Sequence, residues 1–347
     1  GLPYLGLAEG MEGFCWGVLV GAALGAFVLP LIAVREGGLR LSFRLSHPLM
    51  KKFLLLALPL MIGQSVVVLD EQFVRIFGSM AGDGAVSLLN YARRIMMVPV
   101  GVVAQAAGVA SFPFLASLAA KGDMDEFRST LRRTMTNSMI VAVPVAAWMI
   151  TASGPVLGFI FEGGSFSVSH TMGAAPLLQI MLVAVPFWLL QQVTGRAFYA
   201  MEDTVTPAVV GTVATLLAIP AYVVLIPIMG ARGVAVVTTC SIALYALALM
   251  VVACRRWASG AFAGIWGTAW RSALISMPGC GLTLAVMHDG FRLMAGWHPL
   301  LQQFIVLAVG GLLFLASWLV IAWFFHRDYF RLVTSPFLRR LRRAPRS

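Results

Sequence analysis

From Pro207 to Met229, and again from Pro299 to Phe325, the chain runs without a single charged residue. Each run exceeds the ~20 residues that an α-helix needs to cross a bilayer. In hydrocarbon every backbone N–H and C=O must be satisfied internally, which leaves only helices and closed barrels. A barrel would show short alternating segments in place of long apolar runs. Further stretches read the same way: Gly13–Val34, Lys52–Ser79, Val86–Leu118, Thr134–Thr151, Met172–Ala200, Gly233–Ala253 and Ile265–Met287. The expected fold is therefore an all-α polytopic membrane protein with about nine transmembrane helices. Composition agrees, with 60% hydrophobic and 11% charged residues, far below the roughly 25% charged of soluble domains.

The basic residues give the orientation. Arg35, Arg40, Arg44, Lys51 and Lys52 follow the first span, and Lys121, Arg128, Arg132 and Arg133 precede the fourth. Arg255, Arg256 and Arg271 lie around the loop before the eighth span, and the tail holds Arg327, Arg331, Arg339, Arg340, Arg342, Arg343 and Arg346. With the first loop in the cytoplasm all of these fall inside, and only Arg232 and Arg292 fall outside. That asymmetry predicts a cytoplasmic C-terminus. It also accounts for the net charge of +11 without a nucleic-acid partner.

Little here suggests bond-making chemistry. Cys15, Cys240, Cys254 and Cys280 share no motif spacing, so neither a disulfide framework nor a zinc site is expected. The histidines show no ligand spacing, and there is no Walker-type loop. We expect no enzyme, no cofactor and no metal. Residues 153–169 read as a Gly- and Ser-rich connection, and residues 119–133 as a charged loop leading into an amphipathic helix start. In the turn after Ala200, Thr206 reads as a helix cap with Pro207 at the first helical position.

The informative charges are those inside the spans. A guanidinium in hydrocarbon costs at least ~2.5–3.5 kcal/mol. Arg93 and Arg94 sit side by side in Leu89-Asn90-Tyr91-Ala92-Arg93-Arg94-Ile95. They lie toward the outer half of the third span, where the positive-inside rule does not place them. Adjacent helical residues point about 100° apart, so one of them faces a cavity. Two readings stay open and are compatible: contact with a phosphate or pyrophosphate, which suits the planar guanidinium fork, or pairing with Asp70 or Glu71 on the second span. Glu71 and Arg75 are spaced to pair along one helix face. Asp70 projects elsewhere, as a cavity acid, an ion-coupling group or a local counter-charge. Arg196 and Asp203, with Tyr199 and Glu202, mark the cytoplasmic end of the fifth span, as a gate or as anchoring and capping groups.

Taken together, these segments resemble the MurJ/MviN family, the bacterial lipid II flippases of the multidrug/oligosaccharidyl-lipid/polysaccharide exporter superfamily. The resemblance rests on Leu89–Ile95 with Val98-Pro99-Val100-Gly101-Val102, then Ser111-Phe112-Pro113-Phe114-Leu115. It continues through Phe161-Glu162-Gly163-Gly164-Ser165-Phe166, Arg196-Ala197-Phe198-Tyr199-Ala200 with Asp203-Thr204-Val205-Thr206-Pro207, and Gly230 with Gly233. It implies that the nine spans are the family's last nine. Residues 1–50 would hold the last helix of a first lobe and a cytoplasmic linker, and residues 51–256 a complete second six-helix lobe. Residues 257–326 would form two C-terminal helices that make a groove for the lipid tail, and residues 327–347 a basic cytoplasmic tail. The remainder of the first lobe would be a missing N-terminal part of the same protein.

The resemblance implies an inner-membrane transporter that flips lipid II by alternating access, with an undecaprenyl-pyrophosphate-linked substrate and membrane lipids as partners. An exporter of another lipid-linked oligosaccharide, of O-antigen type, is the alternative within the superfamily. Arg94 matches the motif arginine that would face the pyrophosphate, with Arg93, Tyr91 and Asn90 around it. Arg93 stands where the family often has aspartate, and Met97 where some members have glutamate. Asp70 resembles an acid carried by some relatives, but a sodium site beside it would find only Thr212, Thr215 and Tyr222 on the sixth span.

Overall fold

The computed structural model describes residues 11–28, 31–32, 50–51, 54–55, 57, 61, 71–163, 166–294 and 296–325. Among these the chain is helical, and the only strand-like pairing is an isolated bridge between Gly163 and Phe166. The chain divides into two units, Gly1–Phe53 and Leu54–Ser347. In the first, helix α1 (Met11–Ala23) continues as a π-helical turn, Leu24–Val28.

In the second unit, the first continuously described segment is helical over residues 71–79. Helix α2 (Ala85–Pro99) passes through a π-helical stretch, Val100–Gln105, into α3 (Ala106–Lys121). Pro99 has no N–H to give the preceding turn and its ring crowds the carbonyl four residues back. The backbone here widens into π geometry, one of the recognised ways a helix absorbs such a defect, and the whole remains one 37-residue helix. The expected charged loop contracts to two residues, Gly122 and Asp123. Helix α4 (Met124–Thr151) starts there, with the Asp123 carboxylate accepting from the Glu126 amide at 3.2 Å.

Residues 153–169 differ from the sequence expectation. Ser153–Phe161 forms a helix, α5. Pro155, Val156, Leu157 and Gly158 are buried there, so tertiary packing overrides the loop-like composition. Helices α6 (Val168–Leu182) and α7 (Val185–Ala200) then follow one another across a 42° bend, the geometry of a broken span or a re-entrant pair. Pro186 lies in the first turn of α7, where its missing donor costs least. Helices α8 (Val205–Met229) and α9 (Ala231–Arg256) form a hairpin through Gly230, at φ 57° and ψ −134°. A Cβ on Gly233 would lie 2.7 Å from the Leu225 carbonyl oxygen, so a side chain there would force the hairpin open. A second hairpin joins α10 (Ile265–Leu293) and α11 (Pro299–Phe325).

Helix α7 is the hub, packed by α3, α4 and α9 and burying Trp188, Leu189, Leu190, Val193 and Phe198. Helix α10 lies against α4, and α11 against α5. Against about nine expected spans, five described helices are long and apolar enough to cross a membrane, or six with the bent α6–α7 pair. The expected first and second spans lie partly outside the described residues.

Candidate functional site

Helix α2 separates its two arginines. Arg93 is buried at 8% exposure among Leu89, Ala92, Ile95 and Met96, while Arg94, one residue on, is exposed. Asn90 and Tyr91 are half-buried. Tyr91 turns into an aromatic cluster, edge-on to Phe161 and to Phe166 with ring centroids 4.7 Å away in both cases. The connection after α5 thus braces the start of the arginine helix.

That connection also holds an acid that sequence reasoning passed over. One oxygen of the Glu162 carboxylate accepts from the Thr171 hydroxyl at 2.6 Å, and the other accepts from the Gln303 amide of α11. The only sequence signal was its place inside the Phe161–Phe166 motif.

Glu71 and Arg75 pair as their spacing predicts, at 2.7 Å, with both side chains about half exposed. Asp70 lies outside the described residues. The sparse oxygens of α8 are engaged locally: Thr212 donates to the Ala208 carbonyl at 2.8 Å, and the Tyr222 hydroxyl lies 3.0 Å from that of Thr238.

Arg196 and Asp203 take different partners. Asp203 accepts from the Thr206 amide at 2.9 Å and from its hydroxyl at 2.6 Å, and pairs with Arg256 at 2.9 Å. The cap of α8 is therefore the Asp203 carboxylate, in place of the expected Thr206. The reason is reach: Asp203 stands three residues ahead of the free amide, the usual spacing of a capping side chain. Arg196 points across to the end of the π-helical stretch, just before α3, where its Nη2 donates to Gln105 Oε1 at 3.1 Å. Gln105 was legible as a lone polar side chain in an apolar stretch, but nothing in the sequence tied it to Arg196.

Among the described residues Arg94 and Gln105 are exposed, while Asn90 and Arg196 are half-buried. Comparisons with known proteins bear on the family and the fold. Residues 3–297 match the family model of the lipid II flippase MurJ. A probable lipid II flippase MurJ of Rhizobium meliloti (strain 1021) is 32% identical over 222 residues, covering 63% of this chain and 41% of the relative. One of Rhizobium tropici is 28% identical over 288 residues, covering 82% and 52%. The chain spans about half the length of these curated relatives. A solved structure of the lipid II flippase MurJ in an inward closed conformation superposes with a TM-score of 0.60 at 19% identity, covering 88% of this chain and 60% of that one.

Proposed function

The chain belongs to the family of the lipid II flippase MurJ, and from that premise we propose that it moves a lipid-linked pyrophosphate, lipid II, across the bacterial inner membrane by alternating access. The observation that carries this reading is Arg94, a guanidinium exposed on a membrane-spanning helix beside a buried twin. Its fork matches two oxygens of a pyrophosphate, and such charge-assisted pairs are the stronger hydrogen bonds. Asn90 adds an amide on the same stretch, and Tyr91 and Arg93 hold the helix in place.

Residues 51–256 act as one six-helix lobe in this reading. The α10–α11 hairpin guides the polyprenyl tail, and the basic tail faces the cytoplasm. Arg196 and Asp203 belong to the cytoplasmic gate through separate contacts, and Glu71 with Arg75 forms a local neutralising pair. The opposing wall of the cavity is assigned to a first lobe outside these 347 residues. Moving a polar head group needs no bond to be made or broken, and none of the described residues is given a catalytic role.

The test is complementation. Cells depleted of their lipid II flippase should grow when supplied with the gene that encodes this chain. The Arg94→Ala variant should fail at equal membrane abundance. Growth supported by Arg94→Ala would remove Arg94 from the site, and failure of the unmodified gene despite good expression would overturn the substrate.

A further inference from the structure

Arg196 stands near the end of α7, and among the described residues no carboxylate pairs with it. Asp203, which lies nearby in sequence, is taken by Arg256 and Thr206. An arginine that merely anchors a helix end sends its charged head toward the interface. Arg196 instead lies sideways across α3. A Cβ on Gly108 would come 2.5 Å from its Nε and 2.9 Å from its Cδ, so the guanidinium stem occupies the space that glycine leaves free. Its Nε is buried there without an acceptor, which is unusual enough in a native interior to require a reason.

A guanidinium carries only donors. One of them meets Gln105, one is buried against Gly108, and the rest have no acceptor among the described residues. The Gln105 side chain is exposed and keeps its own amide donors. A cluster made of donors, with a positive charge and no acid, matches the oxygens of a phosphate.

We propose that Arg196 and Gln105, seated on Gly108, form a second anion seat that takes a phosphate of the lipid-linked pyrophosphate. This rests on the transport reading above and adds a stage to it. Eleven residues separate Arg94 from Gln105, about 16 Å along a helix, too far for one pyrophosphate to touch both. The two positions are successive seats, one toward each end of the passage.

The experiment is saturation binding of radiolabelled geranylgeranyl pyrophosphate to the chain in phosphatidylcholine nanodiscs. The unmodified chain should bind two equivalents. Arg196→Gln and Gly108→Ala should each lose one of them, and Arg94→Gln should lose the other. Excess phosphatidylglycerol should displace neither. Two equivalents at unchanged affinity in both Arg196→Gln and Gly108→Ala would overturn the seat, as would displacement by phosphatidylglycerol, which would make it a general head-group contact. If only Arg94→Gln loses probe, the transport reading stands and the second seat falls. If the unmodified chain binds no probe, both fall. Gly108→Ala keeps every charge in the protein, so its result does not depend on tolerance of a lost arginine.

Discussion

Adjacent residues on a helix cannot share one environment, and Arg93 and Arg94 illustrate the consequence. Arg93 is buried and Arg94 is exposed. Arg93→Ala is therefore expected to lower membrane abundance, measured by immunoblot, while Arg94→Ala leaves it unchanged. Among the described residues Glu71 and Arg75 pair only with each other, so removing one partner is expected to leave a lone charge. Glu71→Ala should reduce protein level, and the Glu71→Ala/Arg75→Ala double variant should restore it. Equal loss in the double variant would give Glu71 a role beyond its pairing. Asp203 both caps α8 and pairs with Arg256. Loss of a capping side chain costs about 1 kcal/mol, whereas an exposed ion pair contributes less. Asp203→Ala should thus lower the midpoint of thermal unfolding more than Arg256→Ala does.

At the scale of elements, proline acts differently according to where it falls. Pro99 lies inside a continuous helix, and π geometry follows it. Pro186 lies at the start of a new helix after a turn, and the chain bends by 42° there. Helix pairing in hydrocarbon depends on close approach of small residues, since lipid offers no hydrophobic drive. Helices α10 and α11 meet in that way. A Cβ on Gly279 would sit 2.8 Å from the Phe314 ring and 3.1 Å from its backbone. The Thr283 hydroxyl lies within hydrogen-bond distance of the Gly279 carbonyl of its own helix, at 3.0 Å, and the Gly310 carbonyl of the facing one, at 3.1 Å. Gly279→Leu should force the hairpin apart. Disulfide trapping between cysteines introduced at Gly290 and Val306, which are also in contact, should fall sharply in that background.

For the whole second unit, Glu162 adds polar links between helices that already pack together. Its connection reaches α6 through Thr171, α11 through Gln303, and the arginine helix through Phe161 and Phe166 on Tyr91. Glu162→Ala should raise amide hydrogen exchange in residues 158–171 and 299–306 together. A rise confined to the first segment would mean that α11 is held by its apolar contacts alone.

The sequence by itself determined that this chain is a stack of membrane-crossing helices, because apolar length and backbone satisfaction in lipid admit few alternatives. It also marked the residues of interest, since an arginine among apolar neighbours stands out by cost alone. Pairings across elements were not legible. Arg196 with Gln105, Asp203 with Arg256, and Glu162 with Gln303 are 91, 53 and 141 residues apart. No local periodicity connects positions so distant. Only packing of the helices decided which of two adjacent arginines is buried, which is exposed, and which acid is already taken.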